Sequence, residues 1–591
     1  MDVSPMSRIA VPLRAAGALV LILGSAFVRS ALAQPTARAH AAILRTNAAP
    51  ADQPYGASRT AVSRSGMVVT TVPEASRAGV EILTAGGNAI DAAIASAFAL
   101  AVVYPPAGNL AGGGFLIARN RAGQAHALDF RETAPARLDR ETFLALDPSA
   151  SLEGGLAVAT PGSVRGLAAA HQRLGKLSWA RLLQPAVRLA REGFRVPAAL
   201  TKELSDERAL LLRHAESRRL FFPNGEPLAP GTLLLQPDLA RTLEAIAAGG
   251  ADAFHRGPIA RRIVEFVRSE GGSLSEADLA GYAPVWRVPH VLDFERWRLL
   301  TMPLPSSGGF LLSAILGQLS SVRGSWREPA AQRIHFLAEA ERRAFADRGL
   351  LGDADCHEIP LARLLRPLRL ASLGTSIDPD RASRSDAIPG GSEPEERPQT
   401  THLSVATANG DAVSITTTLN GTFGNGSVVP GVGVFLNNEM DDFATAPGRA
   451  NLYDLIQGES NEVRAGARPL SSMTPTIVLE GNRPRFILGS PGGSTIPTTV
   501  LQVFLNAGPR GVALPAAVAA ARLHHQHLPD RLAFEKGSLP APLKQDLEAR
   551  GHVLFERDAI GIVHAIEFRP DGSLLGVADP RGYGLPVGSK P

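Results

Sequence analysis

Residues 399–418, QTTHLSVATANGDAVSITTT, decide the fold that this sequence predicts. Two runs of alternating apolar and polar residues flank Asn409-Gly410, and Asn-Gly between such runs is the strongest short-range signal for a β-hairpin. A two-residue type I′ turn at this dipeptide would place Thr401 opposite Thr418. The hairpin therefore predicts that threonine hydroxyls meet where its two strands end.

A Pro- and charge-rich stretch, LGTSIDPDRASRSDAIPGGSEPEERPQ at residues 373–399, precedes the hairpin. It has almost no apolar residues, which predicts an exposed and mobile linker. If the chain is cut where this linker meets the strand, Thr400 gains a free α-amine beside its hydroxyl. An α-amine has an ordinary pKa of about 7.7–8.0 and can act as the base for the hydroxyl nucleophile. Linker and hairpin alone favour the alternative, an ordinary strand start.

Length and composition are those of a large globular protein. The chain has 591 residues, of which 45% are hydrophobic and 20% charged, and its length predicts two to four units. The net charge is +4, but basic and acidic residues alternate, so we expect no nucleic-acid partner. The single cysteine, Cys356, excludes an internal disulfide, and we interpret it as structural.

The N-terminus has the pattern of a targeting segment. Arg8 and Arg14 precede an apolar run at residues 15–27, and Ala31-Leu32-Ala33 matches a signal-peptidase site. The run is shorter than the ~20 residues that a membrane span needs. We therefore expect a cleaved signal peptide at residues 1–33, a periplasmic or secreted protein and no stable membrane span; a retained anchor is the alternative.

Periodicity predicts a mixture of helices and strands on both sides of the linker. Sheet packed on sheet with helices outside and a doubly wound sheet both fit this pattern. Residues 160–370 are predicted to be mainly helical. The predicted helices are 74–85, 89–103, 163–174, 178–192, 237–248, 260–270, 330–348, 498–506 and 514–521. The predicted strands outside the hairpin are 115–118, 125–130, 474–479, 485–488, 552–555, 563–568 and 574–577.

Several motifs resemble one known family in consistent order over roughly residues 60–580. They are AGGNAIDAAIASAFALAVVYPPAGNLAGGGF (85–115), DFRETAPA (129–136), MPLPSSGGF (302–310), HFLAEAERRAFADRGLLGD (335–353), TTHLSVATANGDAVSITTTLNGTFGNG (400–426), LNNEMDDFATAPG (436–448), RPLSSMTPTIV (468–478) and LGSPGGS (488–494). Together they resemble the γ-glutamyltranspeptidases, which are N-terminal-nucleophile hydrolases. The resemblance implies an α/β (α+β) fold, a four-layer αββα sandwich. It also implies a large segment, 34–399, and a catalytic small segment, 400–591, that form a heterodimer after self-cleavage.

The resemblance implies a role for Thr400 in two reactions. In the precursor its hydroxyl attacks the carbonyl of Gln399, and water opens the resulting ester. The new N-terminal Thr400 then attacks the γ-carbonyl of a glutamyl donor, and water or an acceptor resolves the γ-glutamyl-enzyme. Thr418 matches a threonine that hydrogen-bonds the nucleophile. Gly492 and Gly493 match the oxyanion hole, where glycine lets backbone N–H groups approach closely.

Further residues match contacts to the donor's α-amino acid end. Arg131, Ser471 and Ser472 match the site for the α-carboxylate, which suits a planar guanidinium. Asp442, Asn420 and Glu439 match the site for the α-ammonium, although other members have Gln at the position of Glu439. Taken singly, each would be read as a surface polar residue or a cap. Residues 447–458, which contain Tyr453, resemble a lid loop and favour glutathione-like donors.

The sequence therefore predicts a γ-glutamyltransferase/glutathione hydrolase that acts on glutathione and other γ-glutamyl donors, with amino acids or peptides as acceptors. No cofactor is expected, because the α-amine supplies the base. No metal is expected at His524, His525 and His527. One alternative is a glutaryl or cephalosporin acylase of the same superfamily. Another is a non-catalytic periplasmic binding protein on this scaffold.

Overall fold

The computed structural model describes residues 56–144, 146–322, 328–388, 400–446, 450–455 and 457–590. The expected signal peptide and Gln399 lie outside these residues. Within them, none of the helices is both long and apolar enough to span a bilayer.

Two seven-stranded antiparallel sheets form the centre of the molecule. The first has the order β1-β18-β17-β13-β12-β9-β8, and the second the order β19-β2-β10-β11-β3-β4-β7. The strands are β1 Arg59–Ser63, β2 Gly66–Thr70, β3 Gly113–Arg119, β4 Ala125–Asp129, β5 Phe194–Arg195, β6 Leu233–Leu234, β7 Val285–Arg287, β8 His290–Phe294, β9 Trp297–Thr301, β10 Thr401–Thr407, β11 Ala412–Thr418, β12 Thr476–Glu480, β13 Arg483–Leu488, β14 Leu523–His524, β15 Leu532–Glu535, β16 Leu554–Arg557, β17 His564–Phe568, β18 Leu574–Ala578 and β19 Leu585–Ser589.

The α-helices flank these sheets. They are Pro73–Thr84, Ala89–Val103, Arg140–Leu144, Ser163–Leu174, Trp179–Glu192, Ala198–Asp206, Arg208–Leu211, Ala215–Phe221, Pro237–Gly249, Asp252–His255, Gly257–Ser269, Glu276–Gly281, Gly308–Ser321, Ala330–Arg348, Leu361–Leu364, Pro367–Thr375, Ile496–Ala507, Leu514–Ala519 and Ala541–Ala549. Each helix predicted from periodicity is present, with ends that differ by no more than a few residues.

Alternation along the strands produces the layers. In β2, Met67 and Val69 belong to the core that includes the facing sheet, whereas Val68 belongs to the core under the outer helices. Successive strand residues point to opposite faces, so a sheet covered on both sides is apolar throughout. Helix Ala89–Val103 has no exposed side, which explains why its sequence lacks a polar face. The predicted four-layer αββα arrangement is confirmed, and the antiparallel pairing excludes a doubly wound sheet.

The predicted hairpin forms, but its predicted register is wrong by one residue. Thr401 pairs with Thr417, not with Thr418. The loop has three residues: the Gly410 N–H donates to the Thr407 carbonyl, and only Gly410 adopts a left-handed conformation, with φ of 101°. This is the type I turn followed by a left-handed residue that three-residue hairpin loops use.

Residues 160–370 are mainly helical, as predicted, but they also contain the unpredicted β8–β9 hairpin, which forms one edge of the first sheet. One other sequence prediction needs correction. The predicted linker is ordered in its first half. Ile377 belongs to the core, and buried Ser385 bonds to Arg342 and to Asp530. Residues 389–399 lie outside the described residues.

Candidate active site

The hairpin brings the two predicted catalytic threonines together. The observed register, continued by one residue, sets Thr400 opposite Thr418, and each is only 4% exposed. The Thr418 hydroxyl accepts the backbone N–H of Asn420 at 2.8 Å. The one-residue correction therefore strengthens the predicted proximity, because directly opposed strand residues have Cβ atoms about 4.5–5.5 Å apart on one face.

Glycines just before and within β3 allow the close approach that supports this strand end. A Cβ on Gly112 would lie 2.1 Å from the Thr418 carbonyl oxygen, and one on Gly114 would lie 2.4 Å from that of Thr416. Asn109 also donates to the Thr418 carbonyl at 2.8 Å. A larger residue at Gly112 or Gly114 would push β11 away and displace Thr418 from its place opposite Thr400.

One cavity gathers nearly all the predicted site residues. Its lining comprises Arg131, Arg348, Thr400, Thr418, Asn420, Glu439, Asp442, Tyr453, Leu455, Ser471, Ser472, Met473, Gly493 and Ile496. Gly492 precedes Gly493 but is not part of the lining, and Gln399 lies outside the described residues. Side chains from both sides of residue 400 therefore contribute to one enclosed site.

Arg131 is fully buried among carboxylates on one side of the cavity. It forms ion pairs with Glu439 and Asp442, and its Nη1 lies 3.5 Å from Glu132. Burial raises the pKa of Glu132 to about 7, and burial raises the pKa of Glu439 well above its ordinary value. Neighbouring carboxylates that cannot all ionise share protons. The group therefore retains part of its protons near neutral pH and still presents negative charge around Asp442.

The segment around Tyr453 contributes Tyr453 and Leu455 to the lining of the cavity. Asn451 donates to the Asp442 carboxylate at 2.7 Å, and the Leu452 N–H donates to the Asp441 carboxylate at 2.6 Å. The Tyr453 hydroxyl donates to the Asn420 carbonyl at 2.5 Å. Residues 447–449 and 456 of the predicted lid are outside the described residues. The described part is held by hydrogen bonds to the same loops that carry the predicted ammonium site.

The predicted carboxylate site is built on a rigid backbone turn. The Ser471 N–H donates to the Pro305 carbonyl at 2.8 Å, and the Ser471 carbonyl accepts the Ser307 N–H at 2.7 Å. The Ser472 hydroxyl accepts Nη2 of Arg348 at 3.3 Å. Hydroxyl groups and a guanidinium thus meet in this part of the cavity.

The Gly492-Gly493 turn has a conformation that glycine permits. Gly492 has φ of 143° and Gly493 has φ of 54°, and the chain then enters helix Ile496–Ala507. A Cβ on Gly493 would lie 2.5 Å from the Tyr453 ring. Backbone N–H groups at such a turn are suited to stabilise an oxyanion that develops near Thr400.

Arg348 is a cavity residue that the sequence reasoning did not single out. It ends helix Ala330–Arg348 and lies within the motif at residues 335–353. Arginine at the end of a helix is usually read as a solvated charge, but here the guanidinium is buried. Two further arginines, Arg342 and Arg343, and three carboxylates of that helix are buried as well, which hides the amphipathic pattern that would have marked the position.

The histidines at 524–527 are internal polar residues. His524 bonds Thr498 through Nδ1 at 2.9 Å, and burial lowers the pKa of His524 to about 3 and that of His525 to about 4. They are therefore neutral near pH 7. Across the described ranges, no group of three or more His, Cys, Asp or Glu side chains has the geometry to hold a metal ion.

Known proteins are similar to this chain over most of its length. The family described as "Gamma-glutamyltranspeptidase" matches residues 75–589. The glutathione hydrolase proenzyme of Escherichia coli (strain K12) is 42% identical over 527 residues, covering 88% of this chain and 91% of the relative. An acylase ACY 1 proenzyme from Pseudomonas sp. (strain SE83) is 36% identical, covering 88% of this chain and 93% of the relative.

Solved structures agree with the fold. The cephalosporin acylase from Bacillus halodurans superposes with a TM-score of 0.79 at 26% identity, covering 90% of this chain and 97% of that one. The γ-glutamyltranspeptidase from Helicobacter pylori matches with a TM-score of 0.53 at 37% identity, covering 54% of this chain and 93% of that one.

Proposed function

Because this chain belongs to the γ-glutamyltranspeptidase family, we propose that it is a glutathione hydrolase and γ-glutamyltransferase that activates itself by cutting before Thr400. Family membership makes it an enzyme, so the alternative of a non-catalytic binding protein is set aside. No cofactor takes part in the proposed chemistry.

The observation that carries the proposal is the composition of the cavity around Thr400. The lining combines Thr400 and Thr418, the acidic residues Asp442 and Glu439, and Ser471 and Ser472 with buried arginines. A γ-glutamyl donor has an electrophilic γ-carbonyl and, three carbons away, a zwitterionic amino acid end. The cavity offers a nucleophile for the former and opposite charges for the latter.

Activation begins at the Gln399–Thr400 peptide bond. The Thr400 hydroxyl attacks the Gln399 carbonyl, and the C–N bond breaks to give an ester and a free α-amine. Water then hydrolyses the ester, leaving a carboxylate on Gln399 and the hydroxyl on Thr400. The products are a large segment, 34–399, and a small segment, 400–591.

Turnover uses the groups that this cleavage releases. The Thr400 α-amine accepts the proton of the Thr400 hydroxyl as Oγ1 attacks the donor γ-carbonyl. Thr418 supports Oγ1, and the N–H groups of Gly492 and Gly493 stabilise the oxyanion. The leaving amine takes the proton, and a γ-glutamyl ester remains on Thr400. Water or the amine of an amino acid or peptide acceptor then attacks this ester.

Donor recognition follows from the two charged sides of the cavity. Asp442, with Asn420 and Glu439, receives the α-ammonium, whereas Arg131, Ser471 and Ser472 receive the α-carboxylate. The segment around Tyr453 covers the bound glutamyl group. The sequence pattern at residues 1–33 supports export to the periplasm or beyond the cell, where glutathione and other γ-glutamyl compounds are the proposed donors.

An acylase for glutaryl or cephalosporin side chains is the second candidate. It is favoured by the superposition on a cephalosporin acylase and by the acylase relatives. A glutaryl group has no α-amine, so it would leave Asp442 buried without a cationic partner from the substrate. Arg131 and Asn451 would remain its polar partners among the described residues, and the contact that an α-ammonium adds would be lost. Asp442 and the lid segment therefore weigh against this candidate.

N-terminal sequencing and mass measurement of purified protein test the cleavage. Two fragments, one of which begins at Thr400, are expected, and Thr400→Ala should remain one chain. A protein that stays full-length after long protease-free incubation would refute self-activation. Cleaved protein should then hydrolyse a γ-glutamyl anilide, faster with glycylglycine present. A γ-glutamyl anilide should exceed the matched glutaryl anilide at least about tenfold in kcat/KM; a glutaryl preference would favour the acylase.

A further inference from the structure

A second arginine of the cavity, Arg348, differs from Arg131 in its surroundings. Its side chain donates to Ser307 Oγ at 3.2 Å, to Ser472 Oγ at 3.3 Å and to Gln457 Oε1 at 3.5 Å. All three acceptors are neutral. Among the described residues, no carboxylate forms an ion pair with Arg348, whereas Arg131 pairs with three.

The position of Arg348 in its helix does not explain its burial. A basic residue in the last turn can bond the free carbonyls of a helix end. The hydrogen bonds of Arg348 go instead to side chains on other segments, of which Ser472 lines the cavity. Burial lowers the pKa of Arg348 to about 10, so the side chain still carries its charge at neutral pH. A buried charge without a charged partner is unfavourable, which indicates that an anion completes this site.

The charge distribution identifies the part of the cavity that an anion can enter. Arg131 already pairs with Glu439 and Asp442, so a carboxylate bound beside it would share that guanidinium with them. Within the described part of the chain, Arg348 has only neutral hydrogen-bond partners, among them the hydroxyls of Ser307 and Ser472, and the carboxylate that acts on its charge is that of Asp442, without a direct contact. The three contacts of Arg348, at 3.2–3.5 Å, are longer than the roughly 2.7–2.9 Å of charge-assisted hydrogen bonds. A carboxylate could replace them with shorter bonds.

We propose that Arg348 binds the α-carboxylate of the donor beside Ser472, as a second guanidinium of the glutamyl site. This inference rests on the proposed function and adds a specificity-determining residue to it. Arg131 then serves partly to hold Glu439 and Asp442 in place for the ammonium. The donor's ammonium then pairs with Asp442, and its carboxylate pairs with Arg348 beside Ser472.

Three anilide substrates distinguish the contact to the donor's α-carboxylate from the contact to its α-ammonium. The γ-glutamyl anilide has both charged groups, the 4-aminobutyryl anilide lacks the α-carboxylate, and the glutaryl anilide lacks the α-amine. In the wild type, loss of the carboxylate should lower kcat/KM about a hundredfold, as truncation of a buried charge pair does. In Arg348→Met, replacing the γ-glutamyl anilide by the 4-aminobutyryl anilide should lower kcat/KM less than about tenfold. The variant should hydrolyse the 4-aminobutyryl anilide at close to the wild-type rate.

Two further variants complete the test. Arg333→Met removes another arginine of the same helix, one that does not line the cavity, and should keep the wild-type discrimination. Arg348→Lys keeps a charge but loses the planar fork, and should give an intermediate result. If Arg348→Met is not processed to two fragments, Arg348→Lys replaces it in the test. Its KM should then rise for the γ-glutamyl anilide but not for the 4-aminobutyryl anilide. Equal carboxylate dependence in wild type and Arg348 variants would overturn the inference.

Binding measurements keep this inference separate from the proposed function. Calorimetry with L-glutamate and with 4-aminobutyrate requires no turnover, and only the wild type should prefer L-glutamate strongly. Wild-type protein that hydrolyses no γ-glutamyl anilide, but binds L-glutamate in an Arg348-dependent way, would overturn the function and retain the inference. Active enzyme whose Arg348→Met variant binds both ligands as the wild type does would overturn only the inference.

Discussion

Replacement of Tyr453 by Phe tests whether the segment over the cavity acts as a lid. The Tyr453 hydroxyl donates to the Asn420 carbonyl at 2.5 Å, and burial raises the pKa of Tyr453 well above its ordinary value. The hydroxyl therefore stays protonated, and remains a donor, throughout the working pH range. Tyr453→Phe removes this one bond and keeps the aromatic ring that packs against Gly493.

The structure sets the size of the effect. Asn420 is 1% exposed, so its carbonyl cannot regain a full hydrogen bond from bulk water when the segment is closed. A buried polar group left without its partner costs about 1–3 kcal/mol. Only the closed state bears this cost, so the open–closed equilibrium shifts by roughly 5- to 150-fold. At the lower end of this range, KM for a γ-glutamyl anilide rises about fivefold to tenfold.

Steady-state kinetics of Tyr453→Phe provide the measurement. We expect a raised KM with kcat within about threefold of the wild type, because the contacts made after closure are unchanged. Tyr583→Phe is a matched control: this hydroxyl is buried and has no hydrogen-bond partner among the described residues, so KM should not change. A large loss of kcat at constant KM would mean that Tyr453 acts in the chemistry. An unchanged KM would show that the bond does not hold the segment.

Three further predictions concern neighbouring residues. Asp442→Asn should lower kcat/KM for a γ-glutamyl anilide about 10²–10³-fold but affect a glutaryl anilide far less, since only the former has an ammonium to lose its partner; similar losses on both would contradict this role. Thr418→Val leaves the buried Asn420 N–H unpaired and should lower the free energy of unfolding, measured by chemical denaturation, by about 1–3 kcal/mol. Thr418→Ser retains the hydroxyl and should change the free energy of unfolding much less. Burial raises the pKa of Asp441 from 3.8 to about 7, so the folded protein holds a proton that the unfolded chain releases. Its contribution to stability therefore declines by about 4 kcal/mol as pH rises from about 4 to 7, and Asp441→Asn should remove that decline from denaturation midpoints measured across this range.

The fold was largely predictable because its elements have strong local signals. Helix Ala89–Val103 begins at Asn88 with a capping box and stops before Pro105, and its predicted bounds agree with the structure. The hairpin was also predictable, since Asn409-Gly410 lies in the loop between two runs of alternating residues. The β8–β9 hairpin was missed because His290–Phe294 and Trp297–Thr301 are separated by Glu295-Arg296, which lacks the usual turn residues; Glu295 adopts φ of 53° there.

The hairpin register and the role of Arg348 could not be predicted from local sequence signals. Asn409 uses its side chain to accept the Asp411 N–H, which favours a three-residue loop over the expected type I′ turn. One residue of loop length moves every pairing along the strands, and sequence pattern alone does not fix it. Arg348 can be recognised as a cavity residue only once folding brings Ser307 and Ser472 to the end of its helix. Ser472 is more than a hundred residues away from Arg348 along the chain.

Strand order also bears on how the mature protein could come apart. In the second sheet, β10 and β11 lie between β2 and β3, and β19 pairs with the other edge of β2; in the first, β1 pairs with β18 and β9 with β12. A cut at residue 400 would thus leave two chains woven through both sheets rather than two bodies docked at a surface. Neither chain could keep a complete sheet alone, so separation would amount to unfolding, and dilution of the cleaved protein should not dissociate it.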